Sequence, residues 1–308
     1  MKKKTQVILG LSSIVAVTAG VAGASTFAWF TTTRTAQVNL TSAKIYNTTS
    51  KLVISYGSTD GSTDGSITSG GYREGHTDII DVVGSTNAKM TDVSGDGVSL
   101  YRPDWVPGGE GVTASAINKM TNASPTTPDY YYLKFSITLS NDGNARMKVF
   151  LNTGSSVFAH APDGGSATAA STTAAKATRV AILDSNNDLV TTWQYNTEQS
   201  TTKTDYKYLA AATGGTAYGV SGYEEKAIAS ADKFHLGDFS SVYSGFISGD
   251  ETESDQYLCT LEAKDTTGDN QTLWFVIWLE GTSNYAKNTD AVDAIGGLVD
   301  MTINIAGY

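Results

Sequence analysis

YYYLKFSITLSNDGNARMKVFL, residues 130–151, sets the fold class. Tyr131, Leu133, Phe135, Ile137 and Leu139 alternate with less apolar neighbours, the period of two expected of a strand with one buried face. Asn141-Asp142-Gly143-Asn144 supplies turn residues, and Met147, Val149 and Leu151 resume the alternation. The stretch reads as a β-hairpin. RVAILDSNNDLVTTWQY reads as a second, turning at Asp184 to Asp188.

Strand patterns extend outward from these two. KLVISY (51–56), QYLCTLEAKD (256–265) and GLVDMTINI (297–305) each alternate. LWFVIWL (273–279) is apolar on both faces, which marks a central strand covered on each side. Residues 57–128 differ: GSTDGSTDGS opens a Gly- and Ser-rich region with short apolar pieces such as DIIDVV (78–83), which reads as a long insertion. A low-complexity Ala/Thr/Ser/Gly run fills 161–178, and YKYLAAATGG and YEEKAIASADKFH suggest short helices. The expected architecture is all-β, an antiparallel two-sheet sandwich of jelly-roll type with a few short helices. It occupies residues 51–308, with insertions near 57–128 and 196–250.

Composition agrees with a folded, strand-rich chain. Hydrophobic residues make up 40% of 308, with 16 Tyr, 9 Phe and 5 Trp to fill a core and only 5 Pro. The formal charge of −10 becomes −13 if Lys2, Lys3 and Lys4 leave with a signal, which argues against nucleic acid and anionic lipid as partners. A single cysteine, Cys259, excludes an internal disulfide framework, and its alternating context suggests a buried, inert thiol.

MKKKTQVILGLSSIVAVTAGVAGA has the basic, apolar and small-residue regions of a secretory signal. Two cleavage points compete, Ala24-Ser25 after an A-x-A triplet and Ala28-Trp29. The second gives a signal of residues 1–28. In FTTTRTAQVNL one face reads Phe30, Thr32, Arg34, Ala36, Val38, Leu40, and the other is almost wholly polar. A strand with a half-apolar face invites edge pairing if left free. It can fold back on its own sheet or augment a neighbour's, and the second arrangement propagates head to tail. Residues 29–50 are therefore set apart as a candidate donor strand, with Phe30, Ala36, Val38 and Leu40 as its inward anchors.

The chain offers little for catalysis. His76, His160 and His235 stand apart with no HExxH, HxH or CxxC, and there is no GxSxG elbow. Glu224-Glu225 and the acids of GDETESDQ read as solvated loop carboxylates. Asp184, Asn186 and Asp188 have calcium-like spacing but lack the glycine and distant glutamate of an EF-hand, so a turn accounts for them. DVSGDG and GSTDGSTDG fail the same comparison. Glu280 stands out at the end of LWFVIWL, where it could assist a Lys–Asn isopeptide bond or simply face water. No enzyme and no cofactor are expected, with calcium on one of these oxygen-rich loops as the alternative.

AGASTFAWFTTTRTAQVNLTSAKI resembles the N-terminus of the TasA/camelysin group of secreted bacterial proteins, with Thr26, Ala28 and Phe30 at the positions of a T-x-A-x-F motif. SITLSNDGNARMKVFL resembles that group's strand–turn–strand core, and FVIWLEG and GGLVDMTINI its last strands. The resemblance implies a jelly-roll subunit of an extracellular biofilm-matrix fibre, cut by a signal peptidase and polymerised by N-terminal donor-strand exchange. Its partners would be copies of itself and other matrix or surface components, with no membrane contact after cleavage. A protease activity described for camelysin is not implied, because no metal-protease motif is present. The alternative expectation is a monomeric secreted adhesin or carbohydrate-binding β-sandwich, for which Trp105 in YRPDWVPGG is the candidate contact.

Overall fold

The apolar run LWFVIWL has to be covered on both faces, and the fold is arranged around it. In the computed structural model, residues 35–45, 52–59, 88–105, 117–122, 132–151, 155–161, 165–194, 200–217, 220–237, 254–283, 285–286 and 297–307 are described. In chain order the elements are β1 (Thr35–Ile45), β2 (Leu52–Thr59), β3 (Ala88–Gly95), β4 (Leu100–Trp105), β5 (Ile117–Asn122), β6 (Leu133–Asn141), β7 (Met147–Leu151) and β8 (Ser156–Ala159). Helix α1 (Ala169–Ala177) leads into β9 (Thr178–Leu183), β10 (Leu189–Gln194), β11 (Lys207–Ala217), β12 (Val220–Ala227) and β13 (Phe234–Leu236). The chain closes with β14 (Tyr257–Leu261), β15 (Asn270–Glu280) and β16 (Leu298–Gly307).

Strand β15 carries LWFVIWL. It pairs antiparallel with β6 and β9 on its two edges and, over Leu279 and Glu280, parallel with β3. Leu273, Phe275, Ile277 and Leu279 point into the main core, where Phe275 stacks on Phe135 at 5.4 Å between centroids. Val276 and Trp278 point the other way, into a second cluster with Val93, Leu100, Ala181 and Leu183. Both faces are covered, as the pattern requires.

The architecture is all-β, and its sheet is one curled, mixed sheet rather than wholly antiparallel. One half is built by β2, β6, β15, β9, β10 and β13, the other by β14, β7, β8, β16 and β1, with β3 bridging. Parallel pairing occurs between β1 and β16, β15 and β3, and β10 and β13. Both halves bury side chains in the same apolar cluster, which runs from Ile54, Ile137 and Ile182 to Val149, Leu258 and Ile303.

The first stretch quoted is two strands but not a hairpin. β6 pairs with β15 and β2, whereas β7 pairs with β14 and β16, so the Asn141–Arg146 link carries the chain between halves. Asn141 sets this corner: its Oδ1 accepts the Gly143 N–H at 2.8 Å, and its Nδ2 donates to the carbonyls of Ala145 and Glu262. The Lys264 N–H then donates to the Gly143 carbonyl, which ties the corner to the β14–β15 loop. Alternation reports which face is buried and not which strand lies alongside, so a hairpin and a corner look alike in sequence. The 179–194 stretch is a true hairpin, β9 against β10.

Two helix expectations also give way. YKYLAAATGG and the first five residues of YEEKAIASADKFH lie on the antiparallel ribbon β11–β12, and the second stretch then turns into β13. Tertiary packing overrides alanine's helix preference there: Tyr206, Tyr208, Ile228 and Phe234 form a small cluster at its base. The described helix lies instead in the low-complexity run. Thr168 caps it by accepting the Ser171 N–H, and Ala174, Ala175 and Ala177 are buried against β8 and β16. The insertion expected over 57–128 contains β3, a working member of the sheet whose polar sequence hides Val93, fully buried.

The β3–β4 turn presses onto the outer face of β9 and β15. Gly97 has φ of +93°, and a Cβ there would lie 2.2 Å from the Ala181 Cβ. Gly214 has φ of +80° but open space around it. Gly97→Ala is therefore expected to cost about 2–4 kcal/mol, from strain and overpacking together. Gly214→Ala should cost about 1 kcal/mol, from strain alone. Urea unfolding of the two variants checks the difference.

Candidate functional site

Three places carry functional interest: the position of β1, a buried charge centre on the outer face of β9, and a cleft beside it. The cleavage residues Ala28 and Trp29 and the anchor Phe30 lie outside the described residues. Ala36, Val38 and Leu40 fall on β1, of which the backbone is described. β1 lies inside the sheet, parallel to β16 from Gln37↔Leu298 to Ile45↔Ile305 and antiparallel to β3 from Thr35↔Thr91 to Val38↔Ala88. Val38 stands in register with Val299 and Leu40 with Met301, both buried in the main core. A bulge between Leu40 and Ser42 interrupts the ladder.

The charge centre is formed by Arg179 of β9 and Glu280 of β15, both almost wholly buried. Arg179 Nη1 donates to Glu280 Oε2 at 3.0 Å and to the Lys207 carbonyl at 3.1 Å. Its Nε and Nη2 both donate to Gln194 Oε1. Glu280 Oε2 also accepts from Trp278 Nε1 at 2.9 Å, and Oε1 accepts from the Thr282 N–H and hydroxyl. Burial pulls the Arg179 guanidinium below its ordinary value, with the Glu280 charge opposing the fall. Glu280 thus does not face water, and sequence offered no sign of its partner 101 positions away. A Lys–Asn contact does exist, Lys134 Nζ to Asn187 Oδ1 at 3.3 Å. It is exposed and lies near Trp274, so Glu280 does not attend it. The centre is a clamp joining β9, β10, β15 and the start of β11.

Beside the clamp is a cleft of about 260 Å³. Its lining includes Asp96 of the β3–β4 turn, Leu189 and Val190 of β10, and Ile228, Asp232 and Phe234 around the β12–β13 connection. These residues come from three separated stretches and carry no common motif, which is why sequence reasoning missed them.

The described histidines are both paired. His160 Nδ1 lies 2.9 Å from Asp300 Oδ2, while Asp300 Oδ1 is buried with no hydrogen-bond partner. His235 Nδ1 lies 3.2 Å from Asp255 Oδ2. Burial alone would raise the Asp255 carboxyl, but the hydrogen bond and charge of His235, together with the Lys203 charge and a backbone hydrogen bond, hold the group below its ordinary value. Burial pushes the Cys259 thiol up to about 12, in keeping with an inert side chain.

Glu224 and Glu225 are exposed on β12, and Glu225 contacts Lys207 at 3.7 Å. Asp184 spends Oδ1 on the Asn186 and Asp188 N–H groups, so the calcium-like spacing builds a turn. Asp96 does the same with Val98 and Ser99. His76 and most of GSTDGSTDGS lie outside the described residues, and Trp105, closing β4, is described by its backbone. Among the described residues, no three His, Cys, Asp or Glu side chains gather as a metal site, and no helix is long and apolar enough to cross a membrane. No protein family, curated protein or solved structure matches this chain.

Removing one partner of the clamp leaves a buried, uncompensated charge. Glu280→Ala or Arg179→Ala is expected to cost about 3–5 kcal/mol, and Arg179→Met with Glu280→Leu clearly less than the two single losses together. Chemical denaturation of the set checks this. For Asp255 folding lowers the pKa, so its stabilisation is present above the unfolded value, about pH 4, and is lost as pH falls through the lower folded value. The urea midpoint of the wild type should accordingly fall more between about pH 5 and about pH 3 than that of Asp255→Asn.

Proposed function

We propose that the protein is a secreted, non-enzymatic structural subunit of a bacterial surface or biofilm-matrix fibre. In this reading it polymerises head to tail, each copy lending its N-terminal strand to the next. The observation that carries the reading is the placement of β1. An N-terminal strand that fills an interior slot, with neighbours on both edges, can be exchanged between copies without changing the pairing pattern. The slot is bounded by β16, from the other end of the chain, and by β3. The N-terminal resemblance to the TasA/camelysin group supports the same reading. Within it the two halves of the curled sheet correspond to the faces of a jelly-roll sandwich. Residues 1–28 are the signal, and release at Ala28-Trp29 frees the strand headed by Phe30. The subunit needs no cofactor, and its partners are copies of itself.

Registered positions on β1 and β16 provide the test. Gln37 stands opposite Leu298 on adjacent parallel strands, within the spacing a disulfide can bridge. Gln37→Cys with Leu298→Cys, made with Cys259→Ala, should give a ladder of disulfide-linked multimers on non-reducing gels of the assembled protein. Electron microscopy should show filaments in the same sample. Linkage confined to single chains at every concentration, with no filaments, would defeat the fibre reading.

A further inference from the structure

We propose that the cleft beside the Arg179–Glu280 clamp receives a lysine side chain of a partner protein. The alkyl stem would lie on the apolar lining, and the ammonium would meet the carboxylates of Asp96 and Asp232. Those two carboxylates reach the lining from separate stretches, the β3–β4 turn and the β12–β13 connection. The site goes beyond the fibre reading, since one unassembled chain supplies all of its lining.

The apolar part of the cleft fits the stem. Leu189, Val190, Ile228 and Phe234 supply it. Lysine buries its four-carbon stem on such surface while keeping its charge near water. Among the described residues the exposed large apolar side chains are Leu189, in that lining, and Val98, on the turn that carries Asp96. Apolar exposure is thus gathered at the cleft, as at a contact site. A volume of about 260 Å³ lies below the roughly 300–1,000 Å³ usual for small-molecule pockets and suits one long side chain.

The charges select a compact cation. Asp96 accepts the Val98 and Ser99 N–H groups through Oδ1, and Asp232 accepts the Ala229 N–H through Oδ2, so each can turn its second oxygen to a ligand. Single oxygens on two carboxylates suit the three donors of an ammonium, whereas the fork of a guanidinium pairs best with both oxygens of one carboxylate. Two carboxylates also fall short of the roughly six to eight oxygens of a calcium site. The cations nearby are engaged: Arg179 with Glu280, Lys203 with the Asp232 carbonyl at 3.1 Å, and Lys233 and Lys226 over the rings of Tyr257 and Tyr208. The net charge of −10 draws a basic partner towards the surface.

A blocked glycine peptide with one central lysine, titrated into the full chain and followed by NMR, tests the site. Peptides with norleucine or arginine in place of that lysine are the comparisons. The lysine peptide is expected to bind at least threefold more tightly than either, with shifts centred on Asp96, Leu189 and Ala231. Asp96→Asn and Asp232→Asn keep a side-chain oxygen for the local N–H groups and remove the charge. Each should weaken lysine binding about threefold and leave norleucine binding unchanged. Ala231 lines the cleft and is exposed, so Ala231→Phe should obstruct the site without burdening the fold and weaken all three peptides. No binding of the lysine peptide, binding no tighter than that of norleucine, binding unaltered in the Asn variants, or shifts confined to other surfaces overturns the proposal. Filaments, read separately by microscopy, bear on the fibre reading alone.

Discussion

The rest of the structure depends on a strand that cannot be wetted on either side. β15 presents Leu273, Phe275, Ile277 and Leu279 to one face and Val276 and Trp278 to the other, and all six are buried. At about 25 cal/mol per Å² of apolar surface, leaving either face bare would cost more than a domain of this kind can spare. One face is answered by the opposing half of the curled sheet. The other is answered by the β3–β4 turn, which accounts for the approach of Gly97 to Ala181 and Trp278. The features beyond the sheet's main core follow largely from that second requirement.

The same outer face carries the Arg179–Glu280 clamp, and the two features belong together. A cover made of turns and a two-stranded ribbon has little apolar area with which to hold itself in place. The clamp adds directed bonds: Arg179 and the Thr282 hydroxyl both reach the Lys207 carbonyl, fixing where the ribbon β11–β12 departs. Ser94 Oγ accepts the Leu209 N–H two residues further on. A buried ion pair is a poor source of net stability but a good source of registry, and here it selects one seating of the cover. The cleft is what the cover leaves open.

The strands were legible where alternation was strong, as in β6, β7, β14 and β16, where turn residues marked a hairpin, as in β9 and β10, and where a run was apolar on both faces, as in β15; so was the all-β class. Partnership was not. The turn chemistry of Asn141 to Asn144 suits a hairpin, and nothing local shows that Asn141 instead bonds the Glu262 carbonyl from across the chain. β3 was hidden because it pairs with β1 over Ala88–Thr91 and with β15 over Asp92 and Val93, so its pattern satisfies two environments and matches neither template. Alanine-rich β11 read as helix because its burial, at Tyr208 and Leu209, depends on residues elsewhere in the chain. The clamp was half legible: Glu280 drew notice as an acid ending an apolar run, but Arg179 lay unremarked inside a hairpin. The carboxylate partners of His160 and His235 come from distant segments, beyond the reach of a spacing argument.

The pairing of β1 with β16 also has a bearing on time. Its partners lie about 260 positions apart in the chain, the longest closure in the sheet, and such contacts form late because loop entropy must be overcome before they reward it. The rest of the sheet can assemble first, from pairings that reach less far, and the shorter closure of β1 onto β3, about 50 positions, spans only Thr35–Val38. A newly made molecule would then pass through a state in which its sheet is built but the groove between β16 and β3 is vacant. Under the proposed strand exchange, the lifetime of that state would set a competition between intramolecular closure, whose rate is fixed, and capture from solution, whose rate rises with concentration. The length of the chain would in this way act as a timer.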